Sequence, residues 1–137
     1  VFTVGAVYSR QSLHKQYGGQ LYRRISTPAH HPVIFLFADD PVGEAHYLSG
    51  WTSYGVFRFI GEGRYGHMTF TRGNRALRYH QTNGKGLHLF LRQTPTDPDT
   101  VCYQGQMRYS AHFYKEGNDL NHHSRRMIVF LLKHVSV

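Results

Sequence analysis

The stretch that most restricts the fold runs from Gly55 to Leu77, GVFRFIGEGRYGHMTFTRGNRAL. It opens as a strand, Val56-Phe57-Arg58-Phe59-Ile60, and breaks at Gly61-Glu62-Gly63. Two glycines around a single acid let the backbone turn sharply or come close to a ligand. A loop with Arg64, Tyr65 and His67 follows, then a short helical pattern, Asn74-Arg75-Ala76-Leu77. Arginines and aromatics on such a loop suit a grip on a phosphate backbone or a base. They equally suit a strand, turn and helix with a solvated basic face.

The charge balance narrows the partner. Sixteen Lys and Arg against eight Asp and Glu give +8, an excess that fits a polyanion, most simply nucleic acid. No run of 18 apolar residues exists and no basic amphipathic helix stands out, so a membrane partner is not expected. No signal peptide is visible. The 137 residues, 40% of them apolar, read as a single domain, 1–137, with enough core to fold unaided and with termini cut from a longer protein. A single cysteine, Cys102, excludes an internal disulfide and a thiolate metal cluster; its expected role is a small buried apolar residue.

Along the chain, Phe2 to Val7 reads as a strand or entry segment. Ser9 caps a short helix through Tyr17, stopped by Gly18. Gly18 to Arg24 is a loop with two glycines, an aromatic and two arginines. Pro32 to Ala38 is a buried strand, and Val42 to Ser53 an irregular loop. Phe70 to Gln81 is the best helix candidate. Gly86 to Arg92 is a strand, Gln93 to Thr100 an exposed turn, Val101 to Tyr109 and Ser110 to Lys115 strands, Glu116 to Ser124 a polar loop, and Arg125 to His134 a closing strand. Six or more short strands with one or two helices give an α+β, mainly β fold: a twisted sheet or partly closed barrel.

Chemistry is sparse. Eleven histidines show no His-x-x-x-His pair on a helix and no cysteine partners, so neither a metal nor another cofactor is expected. Most should be surface groups whose partial protonation near pH 6 adds positive charge. The acids are few and scattered, and the zinc deaminase signature needs two cysteines. A metal-free ribonuclease built on His88, His112 and Lys85 stays open as a small basic nuclease, without support from spacing.

Taken in order, the pieces resemble the SRA (SET-and-RING-associated, YDG) domain, and in particular the bacterial SRA-like domains joined to HNH nucleases in modification-dependent restriction enzymes. They are Phe2-Thr3-Val4-Gly5 with Val7-Tyr8, Tyr17-Gly18-Gly19-Gln20, Ile25-Ser26-Thr27-Pro28, His31 to Phe37, G-V-F-x-F-x-G-E-G with G-N-R-A-L, Leu87 to Phe90, and Arg125 to Phe130. The resemblance implies an SRA/PUA-like fold and a non-catalytic module. That module would swing a modified cytosine, 5-methylcytosine or a 5-substituted relative, out of duplex DNA into an aromatic pocket. It would direct a nuclease in the same full-length chain, as a monomer or homodimer, in a bacterial cytoplasm.

Carried over by position, Tyr47 and Phe59 are the two rings around the base, and Ile60 stands where a threonine is common. Ser49, Trp51 and Asp39 complete the pocket. Gln20, Leu21 and Tyr22 belong to the loop that enters the duplex. Arg23, Arg24, Arg64, Arg72, Arg75 and Lys85 are the phosphate contacts. The chain departs from the pattern at Ser49, which replaces an acid, and at Tyr54, where relatives often carry aspartate. A neutral serine accepts weakly from a cytosine amine, which leaves Asp39, Asp40 or a backbone carbonyl for that task. A domain binding nucleic acid without regard to modification is the other reading of the same fold.

Overall fold

The apolar run after Pro32 becomes strand β3 (Val33–Asp39), and both of its faces are covered. Ile34, Leu36 and Ala38 enter one core with Leu87, Leu89, Leu91, Phe57, Phe59, Phe130 and Leu77. Phe35 and Phe37 enter a second core with Leu13, Phe90, Val101 and Tyr103. Successive residues of a strand point to opposite faces, so a strand packed on both sides reads as continuous hydrophobicity rather than alternation. Each large side chain so buried contributes about 1.5–3 kcal/mol.

The computed structural model describes residues 2–39 and 49–135. Its elements are β1 (Val7–Ser9), α1 (Arg10–Tyr17), β2 (Ile25–Ser26), β3, β4 (Gly50–Trp51), β5 (Phe57–Ile60), α2 (Arg72–Arg78), β6 (Gly86–Thr94), β7 (Asp97–Asn118) and β8 (Ser124–His134). One sheet runs β2-β3-β6-β7-β8-β5-β4, with β1 beside β7. The β3–β6 pair is parallel, with Leu36 opposite Leu89 and Phe37 opposite Phe90; the other pairs are antiparallel. The sheet is open rather than closed into a barrel, which selects the first of the two expected forms.

Helix α1 forms where expected. Ser9 accepts at Oγ from the Ser12 amide at 3.3 Å, and Gly18 ends the helix at φ 86°. Helix α2 is shorter than the expected Phe70–Gln81. The side chain of Asn74 donates to Thr69 O at 3.0 Å and holds the chain before α2 extended. Beyond Arg78 the His80 ring bonds Lys85 O at 2.8 Å and accepts from the Tyr109 amide at 3.0 Å, drawing residues 79–84 into turns. Tertiary hydrogen bonds thus override helical propensity at both ends.

The expected strands at Val101–Tyr109 and Ser110–Lys115 are one 22-residue strand, β7. Its first half pairs with β6, its second half with β8, and a register shift falls between Tyr109 and Ala111. The turn expected over Gln93 to Thr100 shrinks to Pro95-Thr96, because β7 begins at Asp97. The entry segment before Val7 is no strand; β1 starts there.

Candidate nucleic-acid interface

Two segments far apart in sequence face one another across a cleft of about 620 Å³. One is the loop between α1 and β2. Gly19, at φ 89°, lies where an added Cβ would sit 2.2 Å from Ser26 Oγ, so only glycine fits. Gln20 is spent inside this loop: its Oε1 accepts from the Thr27 amide at 2.8 Å, and its own amide donates to Ser26 Oγ at 3.0 Å. Arg10 on α1 donates to Gln20 O at 3.2 Å and to Arg23 O, and lies 3.8 Å over the Phe37 ring. Burial lowers the Arg10 pKa to about 10 against the pull of Asp99. With the loop braced from below, Leu21 is half-buried and Tyr22 is 91% exposed at the rim.

The facing wall is residues 60–72. The Asn74 carboxamide, 2% exposed, accepts from the Glu62 amide at 2.9 Å and donates to Glu62 O at 2.9 Å. An added Cβ on Gly61 would lie 2.9 Å from Asn74 Oδ1, which accounts for the glycine before the acid. The Glu62 carboxylate accepts from the Gly73 amide at 3.1 Å and pairs with Arg23 across the cleft. The loop beyond is tied to the β7–β8 hairpin. Asp119 accepts from Gly66 N at 3.1 Å, and Leu120 N donates to Arg64 O at 3.1 Å. Arg125, 8% exposed at the cleft, donates to Gly63 O at 2.6 Å and to Gly66 O at 3.4 Å.

Among the described residues the lining is strongly cationic: Arg23, Arg24, Arg64, Arg72 and Arg125 against the one carboxylate of Glu62. Tyr22 and Tyr65, the latter 61% exposed, stand on opposite sides. Such a surface attracts a phosphate backbone and offers rings to a base.

The sequence-derived residues divide between this cleft and elsewhere. Tyr22, Arg23, Arg24, Ile60, Arg64 and Arg72 line it. Arg24 is spent on structure: it donates to Ile60 O at 2.8 Å and Gly61 O at 3.3 Å and covers the Phe59 ring at 4.7 Å. Burial lowers its pKa, opposed by Asp39 and Glu62. Phe59 beneath it is 0% exposed and packs in the core, so in this conformation neither ring face is open to a base. Trp51 lies on β4 at the sheet edge, outside the cleft lining. Its ring stacks on His134 at 4.9 Å, and its indole donates to Gln104 at 3.0 Å. Ser49 is half-buried just before β4. Asp39 pairs with Arg92 at 2.8 Å. Arg75, exposed on α2, and Lys85, bonded to His31 O at 3.4 Å, are not part of the lining. Tyr47 and Asp40 lie outside the described residues.

Sequence reasoning passed over Asn74 as a site residue, and saw Arg125 only as part of a basic cluster, Arg125-Arg126, that could join a phosphate footprint. Asn74 carried a signal, an amide-bearing side chain next to a glycine in the first turn of α2. Among the described residues no three His, Cys, Asp or Glu side chains group so as to hold a metal ion. No described helix is long and apolar enough to cross a membrane.

The model of the ScoMcrA-like SRA domain family matches residues 4–137. The chain belongs to that family. As an SRA domain it is a DNA-binding module. Its fold is shared by the sulfur binding domain and SRA domain of ScoMcrA complexed with phosphorothioated DNA, at 20% identity and TM-score 0.77 over 100% of this chain and 41% of that one. The Type IV phosphorothioation-dependent restriction endonuclease ScoMcrA matches at 22% identity and TM-score 0.76, over 100% and 29%. The SUVH5 SRA domain in complex with hemi-methylated CG DNA matches at 14% and 0.67, over 99% and 90%. This SRA domain thus spans well under half of either ScoMcrA chain. No curated protein sequence matches it.

Proposed function

We propose that this SRA domain binds duplex DNA carrying a modified cytosine, 5-methylcytosine or a 5-substituted relative, by drawing that base out of the helix into the arginine-lined cleft. The observation that carries the reading is the cleft itself. It has a volume in the range of sites that take small-molecule-sized groups, five arginines around it and an exposed tyrosine at its rim. Extracting a base costs a few kcal/mol, which stacking and phosphate contacts must offset. Tyr22 stands on the braced loop and fills the space the base leaves. Arg23, Arg64 and Arg72 take the flanking phosphates. Tyr47 supplies a ring against the base, and Arg24 moves aside where Phe59 is to supply the second.

The neighbours' complexes with phosphorothioated and methylated DNA support a modified duplex as the ligand. In a longer chain the domain directs an attached nuclease to modified sites. Two observations favour the other reading, binding without regard to modification: Phe59 is closed over, and Ser49 is neutral.

A fluorescence polarisation panel decides between them. Plain, 5-methylcytosine, 5-hydroxymethylcytosine, N6-methyladenine and phosphorothioate duplexes are compared at one salt concentration, with 2-aminopurine beside the target base as the reporter of extraction. The proposal expects at least tenfold tighter binding to a 5-substituted cytosine and a rise in 2-aminopurine fluorescence. Tyr22→Ala should remove that rise and leave weak, salt-sensitive binding. Equal affinity across the panel ends the proposal. Stoichiometry in the same titration reads whether one or two copies act per site.

A further inference from the structure

Glu62 is out of place on electrostatic grounds alone. Among the described residues it is the single carboxylate lining a cleft with five arginines, and a fixed negative charge there repels a phosphate backbone. Yet the fold holds it with care. Its backbone is clamped at both N and O by the buried Asn74. Its carboxylate is anchored by the Gly73 amide. Gly73 has no Cβ at the position where one would lie 2.3 Å from Glu62 Oε1. Among the described residues both hydrogen bonds to the carboxylate, from Arg23 and from Gly73, fall on Oε1. Oε2 keeps its accepting capacity, and the side chain keeps 18% exposure at the cleft.

We infer that Glu62 reads the exocyclic amine of the extracted base. Oε2 accepts from the N4 amine of cytosine while Oε1 stays on Arg23 and Gly73. A carboxylate is the side-chain acceptor suited to that amine, and the other described acid of the predicted pocket, Asp39, lies outside the cleft lining, paired with Arg92. The assignment rests on the base-extraction reading above. It moves edge recognition from the segment before β4, where Ser49 stands, to the glycine-flanked turn after β5. Arg23 then has two tasks, holding Oε1 in place and adding positive charge for phosphate.

The test is a cycle between protein and base. Wild type and Glu62→Gln are titrated with duplexes bearing 5-methylcytosine or 5-methylpyrimidin-2-one, which lacks the amine. Arg23→Gln is run beside them, and thermal melting reports whether each variant is folded. Deleting the amine should weaken wild type tenfold or more and leave Glu62→Gln unchanged or tighter, because the glutamine NH2 opposes the amine. Arg23→Gln should bind more weakly to both duplexes but keep the tenfold difference. If the amine matters equally to wild type and Glu62→Gln, the inference fails and base extraction stands. If Arg23→Gln erases the difference as fully as Glu62→Gln does, Glu62 is only a tether between the two loops and the inference fails. If wild type does not distinguish methylated from plain duplex at all, the extraction reading falls and takes this one with it.

Discussion

His88 is a histidine that does not take the surface role expected of most. Its ring lies among Phe2, Phe35 and Tyr103, and its Nδ1 bonds the Tyr103 hydroxyl at 2.8 Å. Burial lowers its pKa to about 4 and raises that of Tyr103 to about 12. His14, His80 and His112 are also lowered, each chiefly by burial. His88 therefore adds little charge near pH 6, and His14, His80 and His112 add less than free imidazoles would. A lowered histidine pKa means the unfolded chain takes the proton first. Stability is complete above about pH 6.5 and declines as the pH falls toward the folded value. For His88 the loss at pH 5 is about 1–2 kcal/mol. Melting wild type and His88→Gln at pH 7 and pH 5 checks this: the difference between the two pH values should shrink in the variant. An unchanged difference would mean that His88 titrates normally.

At the scale of elements, the turn after β5 and the start of α2 form one unit through Asn74. Its carboxamide makes three hydrogen bonds, to Glu62 N, Glu62 O and Thr69 O. Asn74→Ala leaves those backbone groups without their partner at a part-buried site, which should cost about 1–3 kcal/mol and release Glu62 from its place. Urea unfolding measures the cost, and a loss under 1 kcal/mol would show that the clamp is dispensable. The second support is Asp119, whose pKa is held down by the Gly66 amide, then by that of His123. Its contribution is present above the ordinary carboxylate range and lost as the pH falls through the depressed value. Asp119→Ala should free the 63–67 loop, read as faster amide exchange at Gly66 with little change in the β3 and β6 core.

Across the whole molecule, a net charge of +8 becomes useful only where the fold gathers it. Three of the cleft arginines, Arg23, Arg24 and Arg125, are bound to protein groups, whereas Arg64 and Arg72 are exposed. Arg64→Ala should therefore lower the log–log salt slope of DNA binding by about 1. Arg75→Ala, outside the lining, should lower it by less. Equal slopes in Arg64→Ala and wild type would remove Arg64 from the phosphate footprint.

Hydropathy and turn chemistry along the chain were enough for the strand after Pro32, the Ser9-capped helix, the closing strand and the mainly β class, because each depends on neighbours within a few residues, while the SRA resemblance rested on the order of motifs over the whole chain. The glycine-flanked acid was visible too, as a place where the backbone does something unusual. Its meaning was not, since three of the arginines that meet it in the cleft, Arg23, Arg24 and Arg125, come from segments about 40 and 60 residues away. Phe59 and Phe57 look alike as letters in a strand, and only the packing of β5 against β8 and the Arg24 guanidinium above Phe59 closes its ring from view. Which charges meet, and which rings stay open, depends on register and loop closure, and those exist only once the sheet has assembled.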